Sequence, residues 1–148
     1  MNIIAKSVLA LLVTGTVIQL IPYGRNHANP PVVREPAWDS PATRALAKKA
    51  CFDCHSHETV WPWYSRIAPV SWLVYRDVVE GREHLNFSDW QGSRRKGENI
   101  NEITKEVTEG EMPPLQYYIA HPEAKLDGRS KQLLLEGLTA TVAASVRR

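Results

Sequence analysis

Cys51-Phe52-Asp53-Cys54-His55 sets two thiols one helical turn apart and follows the second at once with an imidazole. That is the spacing of a covalent haem attachment site. Each thiol adds across one porphyrin vinyl group, and two intervening residues on a helical turn bring both sulfurs to one side. His55 then lies beneath the ring, where its imidazole takes the proximal position on iron. Other chemistry suits the pair less well. A redox dithiol of thioredoxin type wants a βαβ context, and strand signals are poor here. Half of a zinc site would have to be closed by two of His57, His84 and His121, yet the usual H-x3–5-H pair is missing. A structural disulfide across two residues gains little from closing so short a loop. The chain has two cysteines in all, so nothing competes for these.

Working upstream, Asp39-Ser40-Pro41 opens a helix. Ser40 suits the N-cap, and Pro41 suits the first helical position, where its missing N–H costs nothing. The helix runs through Ala45, Leu46 and Ala50, delivers Cys51, and carries Lys48 and Lys49 near its end, where cations favour the dipole. Downstream, Trp61-Pro62-Trp63-Tyr64-Ser65 reads as a loop, because Pro62 forbids a continuing helix. Trp61, Trp63, Tyr64, Arg66 and the later Trp72 are candidates to pack on the porphyrin or, for Tyr64 and Arg66, to bind a propionate. Ordinary core packing is the plainer role for each.

Pro69 to His84 patterns as a helix with Trp72, Tyr75 and Val79 on one face. Asn86 to Trp90 then forms a turn with Ser88 as a cap. Ser93-Arg94-Arg95-Lys96-Gly97 is a basic loop that reads as solvated, or as a steering patch for an acidic redox partner. Glu98 to Glu109 is a helix with Ile100, Ile103 and Val107 on its buried stripe, ended by Gly110. Gly110-Glu111-Met112-Pro113-Pro114 follows. The other methionine is Met1, so Met112 is the one thioether that the domain offers as a distal iron ligand. The prolines stiffen that loop. A methionine used as core filler is the rival role. His84, His57 and His121 are substitutes as ligand, in that order. Leu115 to Lys125 reads as irregular, and Asp127 or Ser130 caps a last helix on which Leu134, Leu138 and Val142 recur every four residues.

The amino terminus differs in kind. From Ile3 to Ile21 the chain is apolar apart from Lys6 and a few small or polar residues. About 19 helical residues just cross a hydrocarbon core of about 30 Å. Residues 1–22 therefore read as a membrane anchor or signal sequence, with 23–36 a proline-bearing tether and 37–148 the haem domain. No small-x-small cleavage site follows the apolar run, which favours an uncleaved anchor. A net charge of +2 over 148 residues and the lack of any nucleic-acid motif give no case for DNA or RNA.

The order helix, C-x-x-C-H, aromatic loop, helices, methionine loop and last helix resembles a class I cytochrome c. Its first and last helices cross over the haem, and a late loop supplies methionine. The blocks C-F-D-C-H-S-H-E-T, W-P-W-Y-S-R-I-A-P-V-S-W-L, E-G-R-E-H-L-N-F-S-D-W and E-M-P-P-L-Q-Y-Y with H-P-E-A-K-L are similar to the bacterial haem-binding domain family of small membrane-anchored proteins. The expectation is an all-α, cytochrome c-like domain carrying haem c on Cys51, Cys54 and His55, with Met112 as second axial ligand. It would sit on the outer face of the cytoplasmic membrane, passing electrons between redox partner proteins without a catalytic side chain. A haem-based peroxidase, or a gas or redox sensor with an open axial site, is the alternative.

Overall fold

The computed structural model describes residues 2–91 and 99–146, so the basic run Ser93–Gly97 lies outside the described residues. Seven α-helices lie within them: α1 Ile3–Ile18, α2 Pro41–Ala50, α3 Phe52–His55, α4 Val70–His84, α5 Ile100–Glu109, α6 Leu115–Ala120 and α7 Gly128–Val146. Two 3-10 turns, Trp63–Arg66 and Pro122–Ala124, join them. The extended structure among the described residues is one isolated parallel bridge, Arg34 to Asp89. The fold is all-α.

Local chemistry sets most helix ends. Ser40 Oγ accepts the amide of Thr43 at 3.2 Å, which caps α2 behind Pro41. Asn99 accepts from Asn101 N to open α5, and Asp127 accepts from Ser130 N at the start of α7. Gly110 closes α5 with φ +82°, a conformation in which a Cβ would be strained. The turn sends the chain directly into the Met112 loop. Residues 115–125, which lack a readable period, instead form α6 and a 3-10 turn behind Pro113-Pro114.

The core lies between α2, α3, α5 and α7. Ala47, Phe52, Leu85, Phe87, Trp90, Leu134 and Leu138 are buried together, with Trp38 packed against them. Phe87 is the hub of an aromatic stack, with ring centroids 5.2 Å from Trp38, 5.4 Å from Phe52 and 6.0 Å from Trp90. Trp90 also donates to Ser145 Oγ. The first helix of the domain and the last meet where α7 has Gly137, because a Cβ there would collide with the side chain of Thr43 on α2. The Ser88 hydroxyl accepts the amide of His57 and so pins the chain just after the C-x-x-C-H stretch.

Two expectations for the amino terminus change. Helix α1 spans 16 residues, about 24 Å at 1.5 Å per residue, which falls short of a hydrocarbon core of about 30 Å. No helix among the described residues is long and apolar enough to cross a membrane. The helix stops at Ile18 because Gln19 turns to the domain: its side-chain amide donates to Ala68 O at 2.9 Å and accepts Ala68 N at 3.0 Å. The segment that follows is extended, as its prolines require, but it is laid along the domain rather than free. Arg82 holds it by donating to Ala28 O and Asn29 Oδ1. His27 bonds Ser65 O and stacks on Trp61, His57 donates to Pro31 O, and Val33 N donates to Ser88 O.

Candidate functional site

Cys51 ends α2, and α3 is the single turn that carries Phe52, Asp53, Cys54 and His55. Phe52 turns inward to the aromatic core, which leaves Cys51, Cys54 and His55 on the opposite side, facing a cavity of about 700 Å³. That volume falls in the range of about 300–1,000 Å³ usual for cofactor sites. α4 packs directly over the motif, and Gly81 makes the contact possible: a Cβ there would stand 2.7 Å from Cys54 O.

The same close approach orients the histidine. His55 Nδ1 lies 2.9 Å from Gly81 O and 3.1 Å from Leu85 O, so it carries the proton and donates to the last turn of α4 and the residue that caps it. Nε2 is then the nitrogen with a free lone pair, the arrangement by which carbonyl groups fix a ligating imidazole. Desolvation also lowers the pKa of His55, which keeps it neutral. The two cysteines are not bonded to each other. Desolvation pushes both thiols up to about 12, opposite to the lowered pKa of a thiolate nucleophile or redox dithiol. Among the described residues no group of three or more His, Cys, Asp or Glu side chains converges on a metal position.

Met112 lines the same cavity, although it is 58 residues beyond Cys54 in sequence. Glu111 N and Met112 N both donate to Glu106 O, so the Gly110 turn presents this loop at the end of α5. Of the substitute ligands, His84 lines the cavity too. His57 and His121 are engaged elsewhere. His57 is held between Pro31 O and Asn86 Nδ2, and His121 between Tyr64 OH and Glu123 Oε1.

Trp61, Trp63, Arg66 and Trp72 do not line this cavity. Trp61 stacks on His27, and Trp63 is 75 % exposed. Arg66 ends the 3-10 turn at the surface, and Trp72 Nε1 is buried with no hydrogen-bond partner. Tyr64 lines a smaller neighbouring cavity of about 320 Å³ that also reaches Cys54. The residues that take the expected aromatic and cationic places are later in the chain. Tyr117 and Tyr118 line the large cavity, as do Ile103, Val107, Leu126, Leu134 and Leu138, and its lysines are Lys105 and Lys131. Tyr117 OH donates to Asp53 Oδ2 at 2.7 Å, bracing the motif from across the cavity. Desolvation, reinforced by that bond, raises the Tyr117 pKa, so the phenol stays protonated. The Tyr117-Tyr118 pair was visible in sequence, but without a period nothing there tied it to Cys51–His55.

These residues fit haem. The cavity holds two neutral thiols two residues apart, an imidazole with one nitrogen tied back, a thioether, apolar walls from α5 and α7, and two lysines of a charge that suits the carboxylates of a porphyrin. No curated protein and no solved structure matches the chain. A model of the family described as "Haem-binding domain" matches residues 13–140. With nearly the whole domain covered and a cavity suited to the ligand that the family is named for, this chain belongs to the haem-binding domain family.

Proposed function

We propose that the chain is a mono-haem c-type cytochrome that transfers electrons at the outer face of the cytoplasmic membrane. The observation that carries this reading is the convergence of Cys51, Cys54, His55 and Met112 on one cavity. Bound there, haem supplies a ferric–ferrous couple. Cys51 and Cys54 would hold it by thioether bonds, the S–H of each adding across one vinyl group. His55 would coordinate through Nε2 while Gly81 O and Leu85 O hold Nδ1–H. Met112 would supply the second protein ligand, a pairing that favours a higher reduction potential than two histidines. Leu134, Leu138, Ile103 and Val107 exclude water, which disfavours the more highly charged ferric form. No side chain need act as acid, base or nucleophile.

The alternative of a peroxidase or gas sensor draws on one feature. Met112 is 40 % exposed, so its loop is the least enclosed part of the ligand set, and its departure would open an axial site. The optical spectrum of protein made with haem-attachment machinery decides between the two. A sharp reduced α-band, with the far-red charge-transfer band of methionine-ligated ferric haem, supports electron transfer. A high-spin spectrum that shifts with carbon monoxide or peroxide supports the alternative. Haem that extracts into acidified organic solvent would refute covalent attachment altogether.

The apolar surface of α1 is exposed along its length, with no buried residue. Its insertion into the membrane is part of the proposal. A helix of about 24 Å is accommodated by local thinning of the bilayer.

A further inference from the structure

The base of α1 is fastened to one particular face of the domain. Gln19 makes two hydrogen bonds to the backbone of Ala68. Just beyond, Gly24 packs against Ser71 so closely that a Cβ would stand 2.6 Å from Ser71 O. Tyr23 meets Tyr75 edge-on at 5.4 Å. The apolar helix therefore leaves the domain beside the 3-10 turn and the start of α4, in a fixed place.

That face is apolar and uncovered. Ile67 and Val70, within two residues of Ala68, are 46 % and 43 % exposed. Trp63 on the preceding turn and Leu73 one turn further along α4 are also exposed. Its charge is equally one-sided. No acidic residue occurs from Asn2 to Arg34 or from Thr59 to Arg76, the two stretches that meet here. Arg25 and Arg66, the exposed cations beside the junction, take part in no ion pair among the described residues.

We infer that Trp63, Ile67, Val70 and Leu73 form a membrane-docking face on the domain, which rests on the bilayer surface around the point where α1 enters. The inference rests on the reading that α1 inserts in the membrane. With Gln19 bonded to Ala68, Ile67 and Val70 lie one and two residues from the attachment point of the helix and reach the headgroup layer with it. A tryptophan at that depth finds the interfacial environment it prefers, and Arg25 and Arg66, which are in no ion pair among the described residues, meet anionic headgroups. Docking on this face would fix how the haem cavity is turned relative to the membrane.

The test uses the full haem-loaded chain in vesicles of phosphatidylethanolamine and phosphatidylglycerol. p-Benzoylphenylalanine replaces Leu12, Ile67, Val70 or Leu133 in turn, and photo-crosslinked products are identified by mass. Leu133 is an exposed residue of α7, which packs against α2 and α5. The expected result is lipid adducts from positions 12, 67 and 70 and their loss at 133. Adducts at 12 with none at 67 and 70 would overturn the docking face while leaving membrane insertion standing. No adduct at 12 would overturn insertion itself. Chain-to-chain products at 67 and 70 would overturn docking in favour of a second copy on this face.

Discussion

Gly81→Ala is the sharpest test of how the haem motif is held. In most helix interiors this change stabilises, because alanine is the better helix former. Here the new Cβ would sit 2.7 Å from Cys54 O, 3.1 Å from Cys54 Cβ and 3.2 Å from Cys54 C. Two of those atoms are backbone in a one-turn helix, so α3 and α4 have to separate. Overpacking of this kind costs about 1–3 kcal/mol, against about 1 kcal/mol gained in helix propensity, which leaves a net loss of up to about 2 kcal/mol. For a domain of this size the loss corresponds to roughly 4 °C in melting temperature per kcal/mol. The separation also draws Gly81 O away from His55 Nδ1, now 2.9 Å apart, and loosens the imidazole. Thermal unfolding of the haem-loaded protein reads the first effect, and the low-temperature electron paramagnetic resonance of ferric iron reads the second. A Gly81→Ala protein that melts at or above the parent temperature, with unchanged resonance positions, would refute the close packing of α4 on the motif.

Met112→Ala should leave haem attached and change the coordination of iron. A variant that keeps the parent charge-transfer band would remove Met112 from the ligand set. Leu138, 1 % exposed between the aromatic core and the haem cavity, should cost about 2–5 kcal/mol on truncation to alanine, measured by denaturant unfolding. A loss below about 1 kcal/mol would mean that the cavity wall collapses to fill the space. Glu35 gives a pH signature. The hydrogen bond from Arg44, at 2.7 Å with a second contact at 2.6 Å, holds its carboxyl below the ordinary value of 4.5. A carboxylate with a depressed folded pKa contributes stability above its unfolded value and loses it as pH falls through the folded one. Unfolding free energy should therefore drop below about pH 4.5, and Glu35→Gln should remove that part of the drop while lowering stability at neutral pH. Parallel pH profiles for parent and variant would show that the pair contributes nothing.

Much of the site was legible in the sequence because its signals are local. Spacing alone puts Cys51, Cys54 and His55 on one turn, where they face one cavity, and the capping pattern of Ser40-Pro41 locates the helix that delivers them. The period of Leu134 and Leu138 marks the buried stripe of α7, and Gly110 marks the end of α5. Methionine count singled out Met112, which lines the same cavity. What the sequence could not assign was the work of each tryptophan and tyrosine. Trp61, Trp63 and Trp72 stand close to the motif in the chain, yet Trp38 and Trp90 form the core, and Tyr117 and Tyr118 line the cavity. Proximity in sequence is a poor guide to packing once chain segments fold back, because hydrophobic burial is not directional and any large side chain satisfies it.

The tertiary structure alone decided the rest. It selected the His55 nitrogen left free, since that depends on the carbonyls of Gly81 and Leu85 reaching Nδ1. It cut the apolar amino-terminal run to a 16-residue helix, since the Gln19 side chain finds Ala68 at a distance of 49 residues along the chain. Local pattern specifies helices and motifs through interactions a few residues apart. Which groups meet across the fold is settled only when helices pack and buried polar atoms find partners.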